Sequence, residues 1–472
     1  MVPIIIKTVG VATYGGYVLL MSILSFVVGI SSFGIGFKYE RFFPSTVDLE
    51  AKQSLFFPQL FFKMASVALL SVLLIFLAPL TENMFSKAVS FSIVLPSLYL
   101  LANLFYTQVS EYFRLTGRMN LLNFAAVACP YLNIFILLLV YYRFHELTVN
   151  ILVFSQVLSM TLVTIPILLK MFKEIGIGTV QLNVKDYIED FKLGFPVILG
   201  FIVGFILNTN DRYVIAFYMS IKDVGYYAPA YALGTLIVFF PKVSQVVLPQ
   251  LLSRAVDGGR EDEARNMVDY SIKAFLLVCI PFVAGAYVMS KPILSLLANK
   301  EVAEHAYLVA PIVALGTLFY GLNIILYNVL IVRMKTVKIF RMNLIGVVVN
   351  ILLNFTILYF FRNIVVAAFT TLLCYIIVFC IMHSYISSDW PVNYSIKSVL
   401  RSVVASTAMC VLLLLIQPTI MIYFSGITAV VCDLMLGVFV YAVVLLAVGT
   451  FSLKELACLK HLFLNSREVE HA

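Results

Sequence analysis

Thirteen stretches of about twenty residues or more run nearly free of charge, and that succession leaves few ways to fold. A helix needs about 20 mostly apolar residues to cross the hydrocarbon core of a bilayer. In lipid such a helix also satisfies its own backbone N–H and C=O groups, which have no water to turn to. The stretches lie at 15–37, 56–80, 88–109, 121–142, 148–171, 193–218, 224–251, 270–298, 303–332, 342–361, 363–386, 398–422 and 426–450. Only 12% of the residues are charged, against about 25% in soluble domains. The chain therefore reads as an all-α polytopic membrane protein. Its net charge of +8 is no sign of nucleic acid, because basic residues in such chains collect in cytoplasmic loops.

Counting Lys and Arg by alternate loops gives 22 on one side and six on the other. This bias predicts that loops 38–55, 110–120, 170–192, 252–273, 333–341 and 384–401 are cytoplasmic, with the C-terminus inside. Cysteines placed at Gly258 and Lys338, after the native cysteines are replaced, should be shielded from impermeant thiol reagents in intact cells. One at Asn299 should be labelled, and labelling of position 258 from outside would overturn this topology. The same orientation puts Tyr14-Gly15-Gly16-Tyr17 on the outer face with thirteen residues before it. Those thirteen span roughly 20 Å as a helix, short of the ~30 Å core. The expectation is a truncated first span; the alternative is an N-terminus outside. The seven cysteines show no CxxC or CxxH spacing, so they read as small buried hydrophobes and no metal site is expected.

The chain also repeats itself. Gly15-Gly16-Tyr17 and Gly225-Tyr226-Tyr227 open spans on the same face 210 positions apart. At an offset of 217, Arg118 falls on Lys335 and Asn133 on Asn350. Matched elements on the same side of the membrane are what a parallel repeat of transporter halves requires. The expected boundaries are an N-terminal lobe at 1–180, a C-terminal lobe at 181–390, and a helical hairpin with a cytoplasmic tail at 391–472.

"NDRYVIAFYMSIKDVGYYAPAYALGTLIVFFPKVSQVVLPQLLSR" (Asn210 to Arg254) carries Asp211-Arg212, then Gly225-x-Tyr227, a long span and Pro249. This order resembles the signature of bacterial Wzx-type polysaccharide (O-antigen) flippases, members of the multidrug/oligosaccharidyl-lipid/polysaccharide exporter superfamily. "TYGGYVLLMSILSFVVGISSFGIGFKYERF" resembles that family's first hairpin, and the resemblance extends over most of the chain. It departs at the short first span and at "NIVVAAF", which keeps Ala367-Ala368 without the usual glycines. The resemblance implies a fourteen-helix plan, here thirteen full helices and a truncated first. Two six-helix lobes enclose a central cavity and a C-terminal hairpin follows. It also implies an oligosaccharide cargo on undecaprenyl pyrophosphate, moved outward across the bacterial cytoplasmic membrane. Coupling to protons or sodium is implied for some members, no other cofactor is called for, and a polysaccharide polymerase and chain-length machinery are the implied partners.

Charges within spans are the candidate site. A charge near the centre of a membrane helix costs about 2.5–3.5 kcal/mol on insertion scales, so each one needs a reason. Gly200, Gly204, Asn208 and Arg212 follow at i+4 steps, with Asp211 at i+3 from Asn208, which predicts one small, polar helix face. Arg212 reads either as an anion-attracting cavity wall or, more plainly, as paired with Asp211 or a neighbour or snorkelling to the outer interface. Lys242 follows the helix-kinking Pro241 near mid-bilayer, with Gln245 at i+3. It is expected to face a cavity or to pair, with Asp211 as one partner. Lys63, a third of the way into its span, reads as a cavity residue or as snorkelling to the inner interface. Asp433 reads as a structural or partner contact, Trp390 as an interfacial anchor, and Tyr226, Tyr227 and Tyr231 as sugar-stacking or belt residues.

The rival class is a membrane glycan polymerase or glycosyltransferase. The longest outer loop, near Ser290–Glu304, has about fifteen residues and no outer loop carries a D-x-D carboxylate pair, so a non-enzyme is expected. Within transporters, a peptidoglycan-precursor flippase and a multidrug exporter are the alternatives. A drug exporter favours acidic cavity residues, whereas the charges within spans here are mostly basic.

Overall fold

The computed structural model describes residues 2–85, 94–145, 147–176, 178, 183–424 and 426–449, and all regular structure in them is helical. The helices are α1 (Val2–Val9), α2 (Val11–Ile30), α3 (Phe37–Phe42), α4 (Leu49–Phe85), α5 (Val94–Leu115), α6 (Met119–Phe144), α7 (Val149–Ile175) and α8 (Val184–Tyr218). Then follow α9 (Ile221–Gly234), α10 (Phe239–Asp257), α11 (Glu261–Leu297), α12 (Lys300–Ala306), α13 (Val309–Val332), α14 (Thr336–Phe360), α15 (Ile364–Ser387), α16 (Ile396–Tyr423) and α17 (Ile427–Ala447). Twelve spans among the described residues are long and apolar enough to cross a membrane, with α9 and α10 forming one of them. The thirteenth expected span, 88–109, begins outside the described residues and continues here as α5. The expected tail from 451 also lies outside them.

Local chemistry sets the breaks. Asn183, Thr148 and Asn299 cap α8, α7 and α12, each side chain accepting a bond from a first-turn N–H. Gly176 and Gly117, at φ 74°, end α7 and α5 in a backbone region that side chains disfavour. The stretch expected as one span at 224–251 is interrupted by a 3-10 turn, Thr235–Val238. Pro241 supplies no N–H to that turn and crowds the carbonyl four residues back, so the α-ladder tightens there. The span expected at 303–332 starts at Val309, after the separate short helix α12.

Helix starts preserve the repeat. Val11 and Ile221 are 210 apart, Leu49 and Glu261 212, Met119 and Thr336 217, and Val149 and Ile364 215. Ion pairs follow it too: Arg118 at the head of α6 binds Glu174, and Lys335 at the head of α14 binds Asp389 at 3.3 Å. Glu174 and Asp389 are again 215 positions apart, the α7-to-α15 offset.

Packing divides the chain into two units. The first is Met1–Ala228 with Asn350–Ile364; the second is Pro229–Val349 with Val365–Ala472. In the first, α2 and α9 meet backbone to backbone. A Cβ on Gly15 would lie 2.1 Å from the Ile221 carbonyl oxygen, and one on Gly225 2.1 Å from that of Val11. The contact is reciprocal across the 210-residue repeat, since Val11 corresponds to Ile221 and Gly15 to Gly225. Membrane helices gain by such close approach because small residues let their backbones pack. The aromatic residues Tyr39, Phe43, Phe56 and Tyr112 interlock at ring separations of 4.8–6.2 Å in the core of this unit.

In the second unit the core gathers around Phe275, Leu326 and Trp390. Trp390 is not an interfacial anchor: only 2% exposed, it has the guanidinium of Arg265 at 5.6 Å and that of Arg333 at 4.9 Å from its ring centre. The negative faces of the indole attract both cations. Tyr226, Tyr227 and Tyr231 are likewise buried within the protein rather than spread as an aromatic belt.

Candidate functional site

Asp211 is turned into the first unit and is 4% exposed. The Tyr227 hydroxyl donates to its Oδ2 at 2.7 Å, and Asn354 Nδ2 donates to its Oδ1 at 2.9 Å. The same amide reaches Asn350 Oδ1 at 3.2 Å, which also accepts from Asn210 Nδ2 at 3.0 Å. This network ties α8 to α9 and to α14. In a low-dielectric interior each of these groups would be costly alone, and together they fix one helix arrangement.

The expected polar face of α8 is split. Gly200, Gly204 and Asn208 do form an open strip: a Cβ on either glycine would meet nothing within 4 Å, and Asn208 is exposed, its amide donating to the Gly204 carbonyl at 2.7 Å. Asp211, by contrast, is buried, as are Leu207 and Val214 on the same helix. Arg212 and its neighbour Tyr213 are half-buried. The Tyr213 hydroxyl in turn shares a 2.7 Å hydrogen bond with Ser22.

Lys63 does not snorkel. It is 8% exposed, and its Nζ donates to Glu111 Oε2 at 2.7 Å and to Gln108 Oε1 at 3.4 Å. Glu111 was expected in a loop, but α5 continues to Leu115 and presents it to α4. Removing one partner of a buried pair leaves an uncompensated charge, whereas removing both leaves none. Lys63→Met should therefore cost on the order of 3 kcal/mol in detergent unfolding, and adding Glu111→Leu should recover most of the loss. No recovery in the double variant would show that the pair is not the stabilising element.

Beside this pair, a polar cavity of about 420 Å³ lies within the first unit, lined by Lys38, Gln59, Asp186 and Asp190 among others. Asp190 accepts the backbone N–H groups of Gly36 at 2.8 Å and Lys38 at 3.0 Å. A 2.9 Å hydrogen bond from Lys38 to Glu189 holds the ammonium above its usual range. Burial, and then the nearby Glu111, push the Tyr39 phenol well above its ordinary value.

In the second unit, Lys242 and Gln245 are both exposed on α10, one turn apart and just beyond the 3-10 break. Among the described residues no group of three or more His, Cys, Asp or Glu side chains is placed to hold a metal ion. The sequence reading missed Glu111 and Gln108 as partners of Lys63, and Tyr227 and Asn354 as partners of Asp211. A signal for Asn354 was present: Asn350 and Asn354 stand four apart in "VVVNILLNF", two amides on one face of an apolar helix.

The fold is shared with known flippases and exporters. A lipid II flippase, MurJ, in an inward closed conformation superposes with a TM-score of 0.71 at 16% identity, covering 94% of each chain. An inward-facing multidrug resistance MATE family transporter superposes at 0.66 with 14% identity, over 82% of this chain and 93% of its own. A transporter from Pyrococcus furiosus follows at 0.55 and 14%, over 80% and 88%. Among curated proteins no match is found. This is a multi-pass membrane protein of the multidrug/oligosaccharidyl-lipid/polysaccharide exporter superfamily. A MatE family model matches residues 196–356. The polysaccharide biosynthesis protein model matches residues 1–254, more than half of the chain, and the chain belongs to that family.

Proposed function

We propose that the protein is a flippase that moves an undecaprenyl-pyrophosphate-linked oligosaccharide from the inner to the outer leaflet of a bacterial cytoplasmic membrane. The cargo is a repeat unit of an O-antigen, capsule or exopolysaccharide. Membership of the polysaccharide biosynthesis family carries this reading, and the likeness to a lipid II flippase over 94% of the chain supports it. The lobes are 1–180 and 181–390, rocking about a central cavity by alternating access, with 391–472 as hairpin and cytoplasmic tail. Arg212 and Lys242 supply cations to the pyrophosphate, and Asn208 and Gln245 offer amides to sugar hydroxyls. Asp211 and Lys63 hold their helices in register. The protein acts as a transporter rather than an enzyme, and it hands cargo to a polymerase and its chain-length machinery.

The MurJ likeness favours one second reading, a peptidoglycan-precursor lipid as cargo. Proteoliposomes holding the purified protein and a fluorescent lipid-linked repeat unit separate the two. The protein should speed transfer of the repeat unit to the outer leaflet at least tenfold over empty vesicles, scored by lectin capture. Acceleration of lipid II alone, or of a cationic dye alone, would overturn the first reading.

A further inference from the structure

A cavity in the second unit is not used by the transport reading. It holds about 390 Å³, within the range of small-molecule sites, and is enclosed by α11, α16 and α17 with Leu233 of α9. Its walls are apolar, among them Phe282, Met289, Met409 and Leu434, apart from one carboxylate, Asp433. Asp433 is 0% exposed, and neither of its oxygens accepts a hydrogen bond of ordinary geometry among the described residues. Of the polar groups around it, the Tyr441 hydroxyl is committed elsewhere. Tyr441 donates to the Leu277 carbonyl at 2.6 Å and shares a 2.9 Å bond with Ser402. Gln417 approaches Asp433 as a donor without ordinary hydrogen-bond geometry, and its Nε2 also lies 3.9 Å from Met289 Sδ.

We propose that this cavity binds a monovalent alkylammonium group, with the cation on Asp433 and the apolar body against the walls. An ionised carboxylate in an apolar membrane site is strongly disfavoured unless a cation accompanies it. The walls decide which cation. A metal ion requires several oxygen ligands, and Asp433 is the one carboxylate in this lining. A sugar requires several hydrogen-bonding partners, which the walls lack. An organic cation satisfies the carboxylate with its head and the walls with its carbon. The lining includes neither Arg212 nor Lys242, the residues proposed for the anionic cargo, so its ligand differs in charge from that cargo.

The test uses full-length protein in phosphatidylglycerol nanodiscs and tritiated octylammonium in equilibrium dialysis, with empty nanodiscs subtracted. One saturable site per chain is expected. Asp433→Asn should weaken it at least tenfold. Gly285→Leu keeps the carboxylate but fills the space: a Cβ there would meet only Met409 Cε, at 3.8 Å, so the variant tolerates the change while losing the site. Octanol, equal in length but uncharged, should not compete. Undiminished binding in either variant, or competition by octanol on equal terms, would overturn the proposal. Should Asp433→Asn fail to fold, Gly285→Leu and octanol still decide the matter. Replacing part of the lipid with phosphatidylethanolamine identifies the source. Lost probe binding marks a membrane aminolipid as occupant and retained binding a water-borne amphiphile, and both are the proposed chemistry.

Discussion

Arg212→Ala should reduce export of the lipid-linked glycan at least tenfold while the protein still inserts and accumulates. A pyrophosphate brings about two negative charges into a region where an unpaired ion is costly by several kcal/mol. A hydrogen bond to a charged group contributes about 1.5–3 kcal/mol, or roughly 10- to 150-fold in a rate or binding constant. Arg suits phosphate oxygens because its planar fork donates two bonds at once, so Arg212→Lys should keep part of the activity. Lys242→Ala should act in the same direction. Accumulation should stay normal, with the 2.7 Å and 2.9 Å bonds from Tyr227 and Asn354 to Asp211 retained in the variant. Surface glycan and protein level, measured together, check this. Normal glycan in Arg212→Ala would remove Arg212 from cargo handling. Normal glycan in Asp211→Asn with Arg212→Gln would reassign it to neutralising Asp211. Asp211→Asn alone carries its own cost of about 1–3 kcal/mol, because an amide set against two donors leaves one of them unsatisfied.

Gly15→Ala or Gly225→Ala should destabilise the first unit severely, with loss of folded protein from the membrane. Each new methyl would sit 2.1 Å from a carbonyl oxygen of the facing helix, a separation no Cβ adopts. The obstacle is backbone and not the end of a flexible side chain, so α2 and α9 must part by an ångström or more. Overpacking within well-packed interiors costs about 1–3 kcal/mol, and a backbone clash stands at or above the top of that range. Helix separation would also disturb Tyr227, two residues beyond Gly225, and with it the Asp211 network. Gly200→Ala is the control, since a Cβ there meets nothing within 4 Å and should be accepted without loss. Size-exclusion profiles and thermal unfolding in detergent decide it; a monodisperse Gly15→Ala protein with an unchanged melting temperature would refute the crossing.

The apolar runs were legible in the sequence because length and hydrophobicity alone decide whether a helix can sit in lipid. The repeat was legible in part, since Gly15 and Gly225, and Arg118 and Lys335, recur at fixed offsets. Sequence alone was poor at helix ends. The expected end of a span at 109 hid Glu111, because an amphipathic last turn carries charge that a hydropathy window takes for a loop. It also overrated shared faces, for Asn208 and Asp211 stand one turn apart on one helix yet the first is exposed and the second buried, a difference set by which neighbouring helix packs there. That this chain is a helical membrane protein with basic groups inside its spans was determined by its sequence, because those properties are local. Which charge found which partner was decided only by the tertiary structure. A buried ion is satisfied by whatever packing brings within about 3 Å of it, and Lys63 with Glu111 and Asp211 with Tyr227 and Asn354 are pairings made across helices.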